Sequence, residues 1–172
     1  SLQSFVKDEY VTSLGNNALC NVHAIYVNAA NENVAKSAFN SGAKKILVYL
    51  SNMTGSLDNY KISIPASTEF FALMSDGREY KNLSIDSSAD NTFLSNFKLT
   101  ENSDTPLKLN SKTITLSRIK VEQSPGFSLI STKDDVNLRL YGNTELMSKG
   151  ENSVLTKNVN LLKVSAKDDG VF

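Results

Sequence analysis

The 172-residue chain holds one cysteine and one histidine, three residues apart, and this pair is the first place to look for chemistry. Cys20 and His23 read as C-x-x-H, half of a zinc ribbon, but no second cysteine or histidine exists to complete four ligands. The run Leu19 to Val27 reads as one strand with apolar groups on both faces, and strand residues three apart point to opposite faces. The same geometry argues against a thiol–imidazole nucleophile pair. His23 then reads as a partly buried, hydrogen-bonded imidazole, and Cys20 as a small buried hydrophobe with an inert thiol.

Carboxylates supply the other candidates. Asp134-Asp135 and Asp168-Asp169 are adjacent pairs in turn-like sequence, and the Asp86 to Asn91 loop adds two acids among hydroxyls and amides. None has the twelve-residue calcium-loop pattern, so solvated turns are the expectation. Glu69 and Glu79 could form a glycosidase pair only in the sense that any two acids could. Gly15, Gly55, Gly77, Gly126, Gly142 and Gly150 read as turns, with no phosphate cradle. Tyr49, Tyr60, Phe70, Phe71, Tyr80 and Tyr141 could include an exposed platform for stacking sugars, although core packing is the simpler reading. Asn52-Met53-Thr54 and Asn82-Leu83-Ser84 match the N-glycosylation pattern, a short motif that arises by chance in an Asn- and Ser-rich chain. The expectation is therefore no catalytic residue, no metal ligand and no cofactor.

Charge narrows the partners. Eighteen Lys and Arg balance eighteen Asp and Glu, the longest basic run is Lys44-Lys45, and only Arg78, Arg118 and Arg139 are arginines. Such a surface offers no footprint for nucleic acid. The longest apolar run, Ile46 to Leu50, falls far short of the roughly 18–20 residues of a membrane-spanning helix. The lone cysteine cannot form an intramolecular disulfide, so no disulfide framework identifies an oxidising compartment.

The elements that must hold these residues are mostly strands. Asn31 or Asn33 can cap one short helix, about Asn33 to Asn40, whose Val34, Ala35, Ala38 and Phe39 share a side, and Gly42 can end it. The flanking strands around it read as a crossover unit. From Lys44 onward the apolar period is two, with turn signals every eight to twelve residues and no fixed-period repeat. In Thr113 to Val121 the step from Leu116 to Ile119 breaks that period, which predicts a β-bulge near Ser117 or Arg118. Ile46 to Leu50 reads as an internal strand, whereas Pro65 and the Leu107 to Val121 region read as edges.

This pattern predicts a mainly β chain, an antiparallel β-sandwich or jelly roll with one short helix. Residues 1–172 form one β-rich domain and 1–17 an extended N-terminal arm. At 18.8 kDa such a domain buries roughly 70% of the unfolded chain's surface, enough for a core without metal or disulfide. The functional expectation is a non-enzymatic structural or assembly subunit of virion, spike or surface-appendage type, self-associating or binding a protein partner. The alternative is a carbohydrate- or receptor-binding adhesin module.

Overall fold

The computed structural model describes residues 10–12, 18–21, 24–123, 128–142, 144–148 and 161–167. In chain order the elements are β1 (Tyr10–Thr12), β2 (Ala18–Asn21), β3 (Ala24–Asn28), α1 (Glu32–Phe39), β4 (Lys45–Leu50), β5 (Lys61–Ile64), β6 (Phe70–Ser75), β7 (Glu79–Lys81) and β8 (Ser84–Ser87). They continue with β9 (Asn91–Thr100), β10 (Leu107–Leu109), β11 (Thr113–Gln123), β12 (Ile130–Thr132), β13 (Val136–Tyr141), β14 (Glu145–Ser148) and β15 (Leu161–Lys167).

From β3 onward every pairing is parallel, and the chain winds as a β-solenoid of about five turns. It is not an antiparallel sandwich or jelly roll. Three faces recur. The first stacks β3, β4, β6, the opening half of β9, the opening half of β11, β13 and β15. The second stacks β7 on the later parts of β9 and β11, followed by β14. The third is the separate sheet in the order β5, β8, β10, β12. Among the described residues only the leading pairings of β1 with β2 and β2 with β3 are antiparallel.

Stacking in register turns the period-two pattern into continuous inner rows. Val27, Val48, Leu73, Leu94, Leu116 and Leu140 lie one above another, all within 1% of complete burial. Tyr80, Leu99, Val121 and Leu146 line the second face, and Ile62, Ile85, Leu107 and Ile130 the third. These rows meet in one core cluster. In the first coil α1 takes the place of the second and third faces. Asn31 caps it by accepting from Val34 N at 3.0 Å, and Ala35, Ala38 and Phe39 are buried in the core. The Phe39 ring meets Phe71 edge-on at 6.0 Å and stacks on Tyr60 at 6.4 Å.

The corners explain the phase break in Thr113 to Val121. Arg118 has φ 53°, and its neighbours in the stack, Asn96 and Gly142, have φ 65° and 57°. Ser117 pairs with Ser95 and Ile119 with Phe97, so the partner strand carries the same extra residue. The irregularity is a left-handed corner repeated coil after coil, not the two-against-one bulge expected. Asn96 and Arg118 carry side chains at this left-handed φ, so what favours glycine at 142 is the close approach: a Cβ there would lie 2.9 Å from Arg118 Cγ.

Three further expectations are corrected. Leu19 to Val27 is not one strand: β2 and β3 pair antiparallel, with Cys20 in register with Ile25, and His23 lies outside the described residues. The Leu107 to Val121 region is interior: β10 lies between β8 and β12, and β11 between β9 and β13. A repeat is present, with Ile25, Ile46, Phe71, Thr92, Ile114 and Leu138 as equivalent positions at steps of 21, 25, 21, 22 and 24 residues. Pro65 does follow an edge strand, β5, and β4 lies between β3 and β6.

Leu94 sits fully buried in the middle of the longest inner row. We expect Leu94→Ala to destabilise the fold by about 2–5 kcal/mol, read from urea denaturation.

Candidate functional site

The sequence-nominated groups scatter when the solenoid is built. Cys20 is placed by backbone only, its side chain lying outside the described residues, as do His23 and Asp168-Asp169. Asp134 and Asp135 are exposed in the turn before β13, Asp135 with φ 61°. Glu69 is exposed just before the first face, while Glu79 opens the second face and points toward Lys98 at 3.8 Å. The Asp86 to Asn91 segment is a tight corner rather than a loop: Ser87 and Ala89 are buried, and Asp86 pairs with Lys61 at 3.6 Å. Among the described residues no three His, Cys, Asp or Glu side chains gather as a metal site. None of the helices among them is long and apolar enough to cross a membrane.

The nominated aromatic residues divide by face. Phe71 and Tyr80 are core; the Tyr80 hydroxyl shares a 2.8 Å hydrogen bond with Ser75 Oγ, and burial pushes its pKa up. Tyr60 is partly buried between Phe39 and Lys36, whose ammonium lies 4.8 Å from the ring centre. Tyr49, Phe70 and Tyr141 project outward from the first face. They join residues that sequence reasoning passed over. The outer row Tyr26, Leu47, Ala72 and Phe93 is wholly apolar before it turns polar at Thr115 and Arg139. Leu47 and Ala72 are each 2% exposed yet lie outside the interior cluster. Partly exposed Tyr26, Phe93, Tyr49, Phe70 and Met74 flank them.

A second feature is polar and concave. A cleft of about 210 Å³ opens where the second face turns into the third, lined by Lys61, Asn82, Ser84, Asp86, Asn102 to Thr105 and Lys108, with Ile85 among them. The corner is set by Asn59, Asn82 and Glu101, all left-handed at φ 59°, 53° and 55°. Asn82 Nδ2 donates to Asn59 Oδ1 at 3.0 Å, and Asn82 Oδ1 accepts from Ser103 N at 3.2 Å. That bonding places the Asn82 amide inside the stack. Three residues separate Lys81 from Ile85, whereas six separate their stacked partners Thr100 and Leu107. The longer segment forms one wall of the cleft. Asp104 accepts from Lys108 Nζ at 3.0 Å and Thr105 N at 2.7 Å, which hold its carboxyl below the usual range.

Comparison with protein-family models, curated proteins and solved structures finds no match to this chain. Its own sequence contains a signal for the solenoid. Leu94-Ser95-Asn96-Phe97-Lys98-Leu99 and Leu116-Ser117-Arg118-Ile119-Lys120-Val121 are the same pattern, and they pair residue for residue.

Between the first and second faces, Asp76 secures a corner. Burial works against its ionisation, but the Asn52 N–H at 3.0 Å and the Arg78 guanidinium at 3.4 Å outweigh it and lower the pKa. Because the folded value lies below the unfolded one, this stabilisation is complete above about pH 4 and is lost as pH falls through the folded value. We expect Asp76→Asn to lower Tm at neutral pH and to reduce the acid-induced fall in Tm below about pH 4, followed by circular-dichroism melts.

Proposed function

We propose that this chain is a non-enzymatic structural module that assembles with a second copy of itself through the outer side of its first face. The observation that carries this reading is the apolar outer row from Tyr26 to Phe93 with its aromatic and methionine flanks. A sheet face that is apolar on both sides matches the condition for packing against another sheet, at a separation of about 10 Å. Two-fold pairing would set the apolar half of one face on the same half of its copy. Zero net charge raises no long-range repulsion between copies. A virion, spike or surface appendage is the setting that suits a stacked, extensible scaffold, an analogy at the level of fold.

Light scattering across a concentration series tests the assembly. We expect a dimer in the micromolar range and a monomer for Phe93→Glu, which places a charge on a partly exposed member of the apolar row, with circular dichroism unchanged. A wild-type chain that stays monomeric at high micromolar concentration would replace this reading with that of a monomeric carbohydrate- or receptor-binding module.

A further inference from the structure

The polar cleft lies on a different side of the solenoid from the apolar face, and the assembly reading does not account for it. We infer that the cleft is a binding site for a neutral, hydroxyl-rich ligand of about one sugar ring.

Its walls carry the chemistry such a ligand needs. Lys61 and Lys108 face Asp86 and Asp104, two cations against two carboxylates, so the site has no net charge with which to select an anion or a cation. Ser84, Ser103 and Thr105 add hydroxyls, and Asn82 and Asn102 add amides, giving donors and acceptors at short spacing for vicinal hydroxyl groups. Charged side chains make hydrogen bonds roughly twice as strong as neutral ones, and a hydroxyl can donate to the aspartates and accept from the lysines.

Asn102 ties this wall of the cleft to the neighbouring coil. It is 5% exposed, and its Nδ2 donates inward to Leu83 O at 2.8 Å, while its Oδ1 has no hydrogen-bond partner. The wall is three residues longer than the matching corner of the preceding coil. In solenoids the strands supply stability and added residues emerge as loops on one side, frequently the binding side. The volume is below the roughly 300–1,000 Å³ of drug-sized pockets, which limits the ligand to a single ring or the end unit of a chain.

The test is a titration of the ¹⁵N-labelled chain, followed by two-dimensional NMR, with methyl mannoside, methyl glucoside, methyl galactoside and N-acetylglucosamine, and with inorganic phosphate as the anionic comparison. We expect at least one sugar to shift the amides of Ser84, Asp86, Ser103 and Lys108 and the Asn102 side chain, with Kd on the order of 1 mM, and phosphate to bind more weakly. Asp86→Ala should weaken the sugar about 10-fold while circular dichroism and Tm stay unchanged. Lys108→Gln serves the same purpose if Asp86→Ala fails to fold. The inference is overturned by the absence of localised shifts with every sugar at tens of millimolar. Preference for phosphate also overturns it, as does sugar binding that a folded cleft variant leaves intact. These outcomes are independent of whether the chain dimerises.

Discussion

Parallel hydrogen bonding between successive coils forces each residue to lie over its counterpart one turn away, so the character of a position has to persist from coil to coil. An apolar side chain on the inner side stands above another, as from Val27 through Leu140, or the core opens. Where a polar residue enters such a row it must be bonded within the core. Thr92 interrupts the row from Ile25 to Leu138, and its hydroxyl is held at 2.8 Å by both Ser87 and Ser111, a buried chain of three hydroxyls at one corner. The persistence requirement extends to the backbone. Left-handed residues recur at equivalent corners: Asn96, Arg118 and Gly142 at one, Asn59, Asn82 and Glu101 at the other. A change at any of them disturbs the neighbours above and below.

The same constraint explains what the sequence disclosed and what it hid. Period-two alternation, the helix after Asn31 and the dominance of strands were legible, because they depend on residues near one another in the chain. Parallel pairing was not, since a strand half-buried in a sandwich and one half-buried in a solenoid alternate alike. Short turns at regular intervals fit the corners of a coil as well as they fit hairpins. Coil lengths stepping between 21 and 25 residues blurred the period, and only the matched segments at Leu94 and Leu116 kept it visible. The extra residue at Arg118 reads in the sequence as a bulge, because its counterpart in the partner coil, Asn96, is distant along the chain.

Candidate sites were hidden for a related reason. The cleft draws Lys61, Asn82 to Asp86 and Asn102 to Lys108 from three coils, and each segment taken alone is an ordinary polar turn. The outer apolar row likewise takes one residue from each of four strands, so Tyr26 and Phe93 gave no cluster in the sequence. The aromatic residues nominated from sequence went to three environments, core, helix contact and outer face, because identity alone does not say which side of a strand is inward.

Division of labour follows from this architecture. The strands are constrained by rows that cannot change independently, whereas a corner needs only to deliver the chain to the next strand in register. The corner from Thr100 to Leu107 is three residues longer than its counterpart from Lys81 to Ile85, yet Leu99 still pairs with Tyr80 before it and Leu107 with Ile85 after it. Loop-closure entropy rises slowly with length, so the longer corner costs little stability. The corner is thus the place where new chemistry can arise at least structural cost, and the flat face is where it cannot, since any outward residue there is tied to the spacing of the sheet. An assembly surface on the face and a ligand site at the corner are therefore free to exist on one chain, and a substitution in either can leave the other intact.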